Sequence, residues 1–226
     1  MEYITISELI NFKRSSERKQ LNFAKKYFNN DTNQEKTSSG GGNYWIRSLS
    51  AIQNTFSESD STLIDEKINQ INLIYGDASS NRTKTMYDRN LEILYNYQDE
   101  DFSYLKPNTD LVYLKKPKKP QISVGDIGLK LNIHHLFSYE DQGALKLGAI
   151  WFVAKLGGYE KSELGVFNEA LYSFLNEKYS DKYFIDPDFV WVLDIEGKAV
   201  VNYRMLADNE VNSLLSKTTN ELRQLK

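Results

Sequence analysis

The chain has 226 residues, of which 40% are hydrophobic and 26% charged, and a formal net charge of -3, values that fit one globular domain or two small ones packed together. A mean hydropathy of -0.55 and the lack of any apolar run near about 18 residues exclude a membrane-spanning helix, so no membrane partner is expected. The absence of cysteine excludes disulfide scaffolds, cysteine-zinc sites, iron–sulfur clusters and thiol catalysis, and two histidines leave little for zinc enzymes or Ser-His-Asp arrangements.

Residues 1–20 lack the apolar stretch and small-residue cleavage site of a signal peptide, so the expected location is cytoplasmic. Four helices are predicted before residue 106. Ser7 caps the first, which carries Leu9, Ile10, Phe12, Leu21, Ala24 and Phe28. A polar, glycine-rich loop follows at 29–42. The second helix starts near Asn43 with Trp45, Leu49, Ile52 and Phe56 on one stripe. Ile64, Ile68, Ile71 and Tyr75 mark the third, and Met86, Tyr87, Leu91, Leu94 and Tyr95 the fourth, over about 82–97.

Pro107, Pro117 and Pro120 enclose Lys115, Lys116, Lys118 and Lys119. Proline stops helices and central strands, so 106–120 reads as the hinge to an α+β part. Residues 121–137 alternate through Ile127, Leu129, Leu131 and Ile133. Across a turn at 138–143 they face the apolar strand 144–155 in a long antiparallel hairpin. A helix at 160–178 follows, then a second hairpin, 189–195 with 198–204. A last helix runs from about Asp208 through Val211, Leu215 and Leu222. The predicted fold class is α+β, with a helical region at 1–106 and an α+β region at 107–226 forming one compact unit.

Four constellations carry candidate chemistry. His134 and His135 are strand neighbours pointing to opposite faces, so they do not grip one metal together; one packed and one exposed imidazole is the expected outcome. Pro187-Asp188 followed by Glu196-Gly197-Lys198 spells the PD…(D/E)xK signature of metal-dependent nucleases. In an antiparallel hairpin, however, its carboxylates stand roughly 20 Å apart, too far to share one cation. Asp186-Pro187-Asp188 therefore reads as a strand-opening turn and Glu196-Gly197 as a hairpin turn. With the first hairpin's turn centred between 140 and 141, Asp126 faces Lys155 and His135 faces Lys146. Asp126 and Lys155 read first as a surface ion pair worth under about 1 kcal/mol; as the functional alternative, Asp126, His135 and Lys155 are the candidate catalytic set.

The fourth constellation is basic. Lys13, Arg14, Arg18, Lys19, Lys25 and Lys26 are opposed only by Glu17, and Arg82, Lys84 and Arg89 extend the run if the two helices adjoin. Such a run reads first as a solvated helix face; as the functional alternative, Lys13, Arg14, Arg18, Lys19, Arg82 and Arg89 are the candidate nucleic-acid contacts. Ser39-Gly40-Gly41-Gly42 lacks the Gly-Lys-Ser/Thr ending of a phosphate-binding loop.

The opening ITISELINFKRSSERKQLNFAKKY resembles the start of RecB-type nucleases. The later order of hairpin, helix and further strands resembles the core of the PD-(D/E)XK superfamily. The resemblance implies a nuclease fold acting on nucleic acid, with Mg²⁺ or Mn²⁺ if active, in bacterial phage defence or mobile-element biology. On that alignment His134 and His135 stand where the family has its first acid. The family's Glu-x-Lys falls on Val153-Ala154-Lys155, so that only the lysine survives. Asn168 and Tyr172 occupy the family's Gln-x-x-x-Tyr helix. The departures imply a catalytically degenerate, nucleic-acid-binding protein. The competing expectation is a non-enzymatic interaction subunit with a protein partner or a second copy, anchored by aromatics such as Tyr44, Tyr97 and Tyr104.

Overall fold

The computed structural model describes residues 3–29 and 44–226; the loop expected at 29–42 lies, except for Asn29, outside the described residues. The chain opens with strand β1 (Tyr3–Thr5), then α1 (Ile6–Arg14) and α2 (Glu17–Asn29). Thr5, and not Ser7, caps α1, in a capping box with Glu8. The single helix expected at 7–28 is two helices, broken where Ser15 takes an extended backbone and its hydroxyl turns back to the Asn11 carbonyl.

α3 (Ile46–Glu58), α4 (Thr62–Tyr75) and α5 (Asn81–Asn96) follow, then a short 3-10 helix at Phe102–Leu105. The strands are β2 (Val112–Tyr113), β3 (Gln121–Val124), β4 (Ile127–Lys130), β5 (His135–Asp141) and β6 (Ala144–Val153). Then come α6 (Lys161–Tyr179), β7 (Phe184–Asp194), β8 (Ala199–Asn202), α7 (Tyr203–Ala207) and α8 (Leu215–Arg223).

Among the described residues two sheets form, a three-stranded one ordered β1-β4-β3 and a five-stranded one ordered β2-β5-β6-β7-β8. The larger is mixed: β6 and β7 run parallel, joined by α6, and the other pairs are antiparallel. The fold is α+β, as the sequence predicts.

The long first hairpin is a correction. Residues 121–130 close on themselves as β3–β4, and β5–β6 is a separate hairpin in the other sheet. Gly125 and Gly143, both at positive φ, allow the two turns. The second hairpin also differs: β8 ends at Asn202, whose side chain caps α7.

The middle of the five-stranded sheet is buried on both faces along β6, which explains the unbroken apolar run of that strand. Leu147, Ala149, Trp151 and Val153 face α6, α1 and the small sheet, while Ile150 and Phe152 face α3, α4 and α5. The five N-terminal helices therefore fall on opposite sides of the sheet, and β1 pairs in parallel with β4. At Gly148 the β6–β7 register slips, and Asp186–Phe189 take up the extra length. A Cβ on Gly148 would lie 2.5 Å from the Phe137 ring and 2.8 Å from the Phe189 carbonyl oxygen.

Candidate nucleic-acid interface

The expected pairing of Asp126 with Lys155 does not form. The β5–β6 turn is Gln142-Gly143, so Asp141 faces Ala144, His135 faces Ile150, and Lys146 faces Tyr139 rather than His135. Asp126 sits in the β3–β4 turn, bonded to Arg223 at 2.8 Å and Lys226 at 3.1 Å. Those two cations hold its carboxyl below the usual carboxylate range. Lys155 follows β6, its ammonium 5.4 Å from the Tyr159 ring centroid.

Both histidines are inward-facing. Phe152 N–H donates to His134 Nδ1 at 3.0 Å, which places the ring proton on Nε2. That nitrogen lies 3.1 Å from Asn132 Nδ2; because Nε2–H donates, the Asn132 amide is turned over so that its oxygen accepts. Burial pushes His134 down to about 3. His135 lies among Phe56, Tyr113 and Phe152, its Nε2 buried with no partner among the described residues. Burial, with Lys116 nearby, lowers it to about 4. One exposed imidazole was expected, but His134 is buried and His135 is half-buried against Phe56 of α3. An imidazole kept neutral this way is a poor general acid near neutral pH.

The PD…EGK string is dispersed as its spacing predicts. Asp188 pairs with Arg204 midway along β7, and Glu196 lies beyond the strand's end. Asp186 is buried, accepting from Tyr139 Oη at 2.6 Å and lying 3.2 Å from Lys146 Nζ. It belongs to the bulge inside β7, not to a turn opening the strand.

Sequence reasoning missed Asp194. It is fully buried at the end of β7 and accepts from Tyr159 N at 2.6 Å and Glu196 N at 3.2 Å. Burial raises its pKa, and the backbone N–H groups offset part of that rise. A Cβ on Gly197 would lie 2.7 Å from its Oδ2. Asp194 ties the loop after β6 to the turn after β7, a structural task. Among the described residues, no group of three or more His, Cys, Asp or Glu side chains is placed to hold a metal ion.

The basic run divides. Lys13 bonds Glu221 of α8 at 2.5 Å, and Arg14 forks onto Glu163 of α6, so both serve as inter-element ties. Arg18, Lys19, Lys25 and Lys26 stay exposed on α2 with no ion pair among the described residues. Arg89 donates to Tyr44 Oη at 2.8 Å, while Arg82 is exposed. α5 packs on the face of the large sheet opposite α1 and α2, so Arg82 and Arg89 do not extend the α2 patch.

A second basic surface is the presumed hinge. From β2 the chain runs to β3 as an irregular strap, where Lys115, Lys116, Lys118 and Lys119 are all exposed. None has an ion pair among the described residues. Lys116 is close enough to weigh on both His134 and His135, at the end of the sheet where β5 begins. The signal was the Lys-Lys-Pro-Lys-Lys-Pro string itself, which reads first as a chain breaker. No protein-family model matches this chain, and no curated protein and no solved structure matches it either.

Proposed function

We propose that this protein binds nucleic acid without cutting it, on a scaffold of nuclease type. The observation that carries the reading is the strap Lys115–Lys119: four exposed ammonium groups without counter-charges among the described residues, beside the start of β5. Phosphates supply such counter-charges along a strand, and binding gains from the counterions that they release. Arg18 and Lys19 of α2 are a further contact surface. The order β5, β6, α6, β7 supports the scaffold part, and His134, His135 and Val153 at the acid positions of the resemblance support binding without cleavage. A role in phage defence or mobile-element biology belongs to the same proposal.

Fluorescence anisotropy with labelled DNA and RNA, single-stranded and duplex, tests it. Affinity falls steeply between about 50 and 200 mM salt, and replacing the four strap lysines by glutamine flattens the log–log salt slope by about 3. No binding at the low-salt end, or an unchanged slope, overturns the reading. With Mg²⁺ or Mn²⁺ the bound polymer stays intact; cleavage that Lys155→Ala abolishes would restore an active nuclease.

The interaction-subunit reading has its own support in the outer edge of β2, where Val112 is 61% exposed beside Tyr113. A strand from a protein partner fits such an edge. Light scattering that shows a monomer under all conditions, with no copurifying chain, counts against it.

A further inference from the structure

Between the second half of the strap and the last turn of α6 lies an open groove of about 610 Å³. Residues 117–123 line one side, Phe174 and residues 177–179 of α6 the other, and Tyr3 of β1 lines it as well. Tyr3 and Ser123 are both register partners of Gly128 in β4, so they stand on one face of the small sheet. Gly128 puts no side chain between them, which keeps that part of the floor low.

The two sides differ in charge. Lys118 and Lys119 are exposed and have no ion pair among the described residues. Pro117 and Pro120 fix φ beside them, so the ammonium groups stand on a backbone with little freedom to lose on binding. On the α6 side Lys178 donates to Glu177 at 2.6 Å, and the negative end of the helix dipole lies there too. The attraction for phosphate therefore sits on the strap side.

The α6 side and the floor supply rings instead. Tyr3 and Tyr179 are both half-buried. Tyr179 meets Phe174 edge-on, with centroids 6.3 Å apart, while the Tyr3 ring has no aromatic partner among the described residues. A polymer laid here turns its phosphates to the lysines and its bases to the tyrosines. In a duplex the base faces are already covered by their neighbours; in a single strand they are open to stack on such rings.

We infer that the polymer taken up along the strap is single-stranded nucleic acid, its bases stacking on Tyr3 and Tyr179 in this groove. The inference rests on the nucleic-acid reading above and narrows it to one substrate class. Single-stranded DNA and RNA share this chemistry.

Fluorescence anisotropy of the full chain tests it with labelled oligo(dT) and oligo(U) of about twelve nucleotides and a duplex of the same length. Both single strands, or the one whose sugar the groove prefers, bind at least about tenfold more tightly than the duplex. Tyr3→Leu and Tyr179→Leu each weaken the preferred strand by about fivefold or more. Tyr3→Phe and Tyr179→Phe, which keep the ring, keep the affinity. None of the four moves the salt slope, because none removes a charge. Duplex binding as tight as single-strand binding, indifference to both leucine substitutions, or equal losses in the leucine and phenylalanine variants overturns the inference. The preference between single strand and duplex is read on the unaltered chain, so it decides even where a leucine variant unfolds. Tight duplex binding with a slope that depends on the strap lysines leaves the nucleic-acid reading standing without this one, whereas failure of every polymer to bind removes both.

Discussion

At the scale of single residues, His135 makes the sharpest test. Its ordinary value is 6.5 and burial lowers it to about 4. Between those values the unfolded chain takes up a proton that the folded chain refuses. The stabilising effect of the neutral ring is complete above about pH 6.5 and is lost as pH falls toward 4. Each histidine of this kind contributes a slope of about 1.4 kcal/mol per pH unit. His134 works in the same direction, while Asp194, raised by burial, works against it. The difference between wild type and His135→Phe therefore isolates the one ring. Urea melts from pH 7 to 4 should show a shallower decline in the variant, with Lys106 and Lys116 unchanged beside it; parallel curves would refute the burial argument. Gly148→Ala is the second residue test. Overpacking against Phe137 and a backbone oxygen costs about 1–3 kcal/mol, read as a lower urea midpoint.

Elements were legible where the apolar period was long. The stripes of α3, α4, α5 and α6 and the apolar run of β6 come directly from spacing, and their observed bounds follow it closely. The register of β5–β6 was not legible, because a turn moved by two residues keeps the same alternation; the turn is fixed where Gln142 and Gly143 both take positive φ. That shift separated His135 from Lys146, and the independent β3–β4 turn took Asp126 from Lys155. Asp194 was hidden for another reason. Its partner Tyr159 is 35 positions away, and no local pattern announces a carboxylate that bridges two loops. Asp194→Ala leaves those N–H groups unanswered and costs about 3 kcal/mol. Asp194→Asn, which keeps one acceptor, should recover part of that in thermal melts, and equal losses would point to charge rather than hydrogen bonding.

For the whole molecule, the division at residue 106 marks a change of period but not a boundary between independent folding units. Phe137, Tyr139, Ile150 and Phe152 are buried with residues of α3, α4 and α5, and Ile4, Leu9 and Phe12 join the other side of the same sheet. A fragment of residues 107–226 exposes both aromatic-rich faces, so it should aggregate or melt without cooperativity. A sharp, reversible transition from that fragment would show that the helices are dispensable.

At one border of the large sheet the strand β2 is only two residues long, and the chain that leaves it carries four like charges. Short length and clustered lysine are how natural proteins keep an open sheet border from adhering to its own kind. The same ammonium groups would then act as a repellent fence between copies while they attract a polymer of opposite sign. Discharging them should loosen the grip on phosphates and, in the same preparation, make the protein stick to itself at concentrations where it was formerly dispersed.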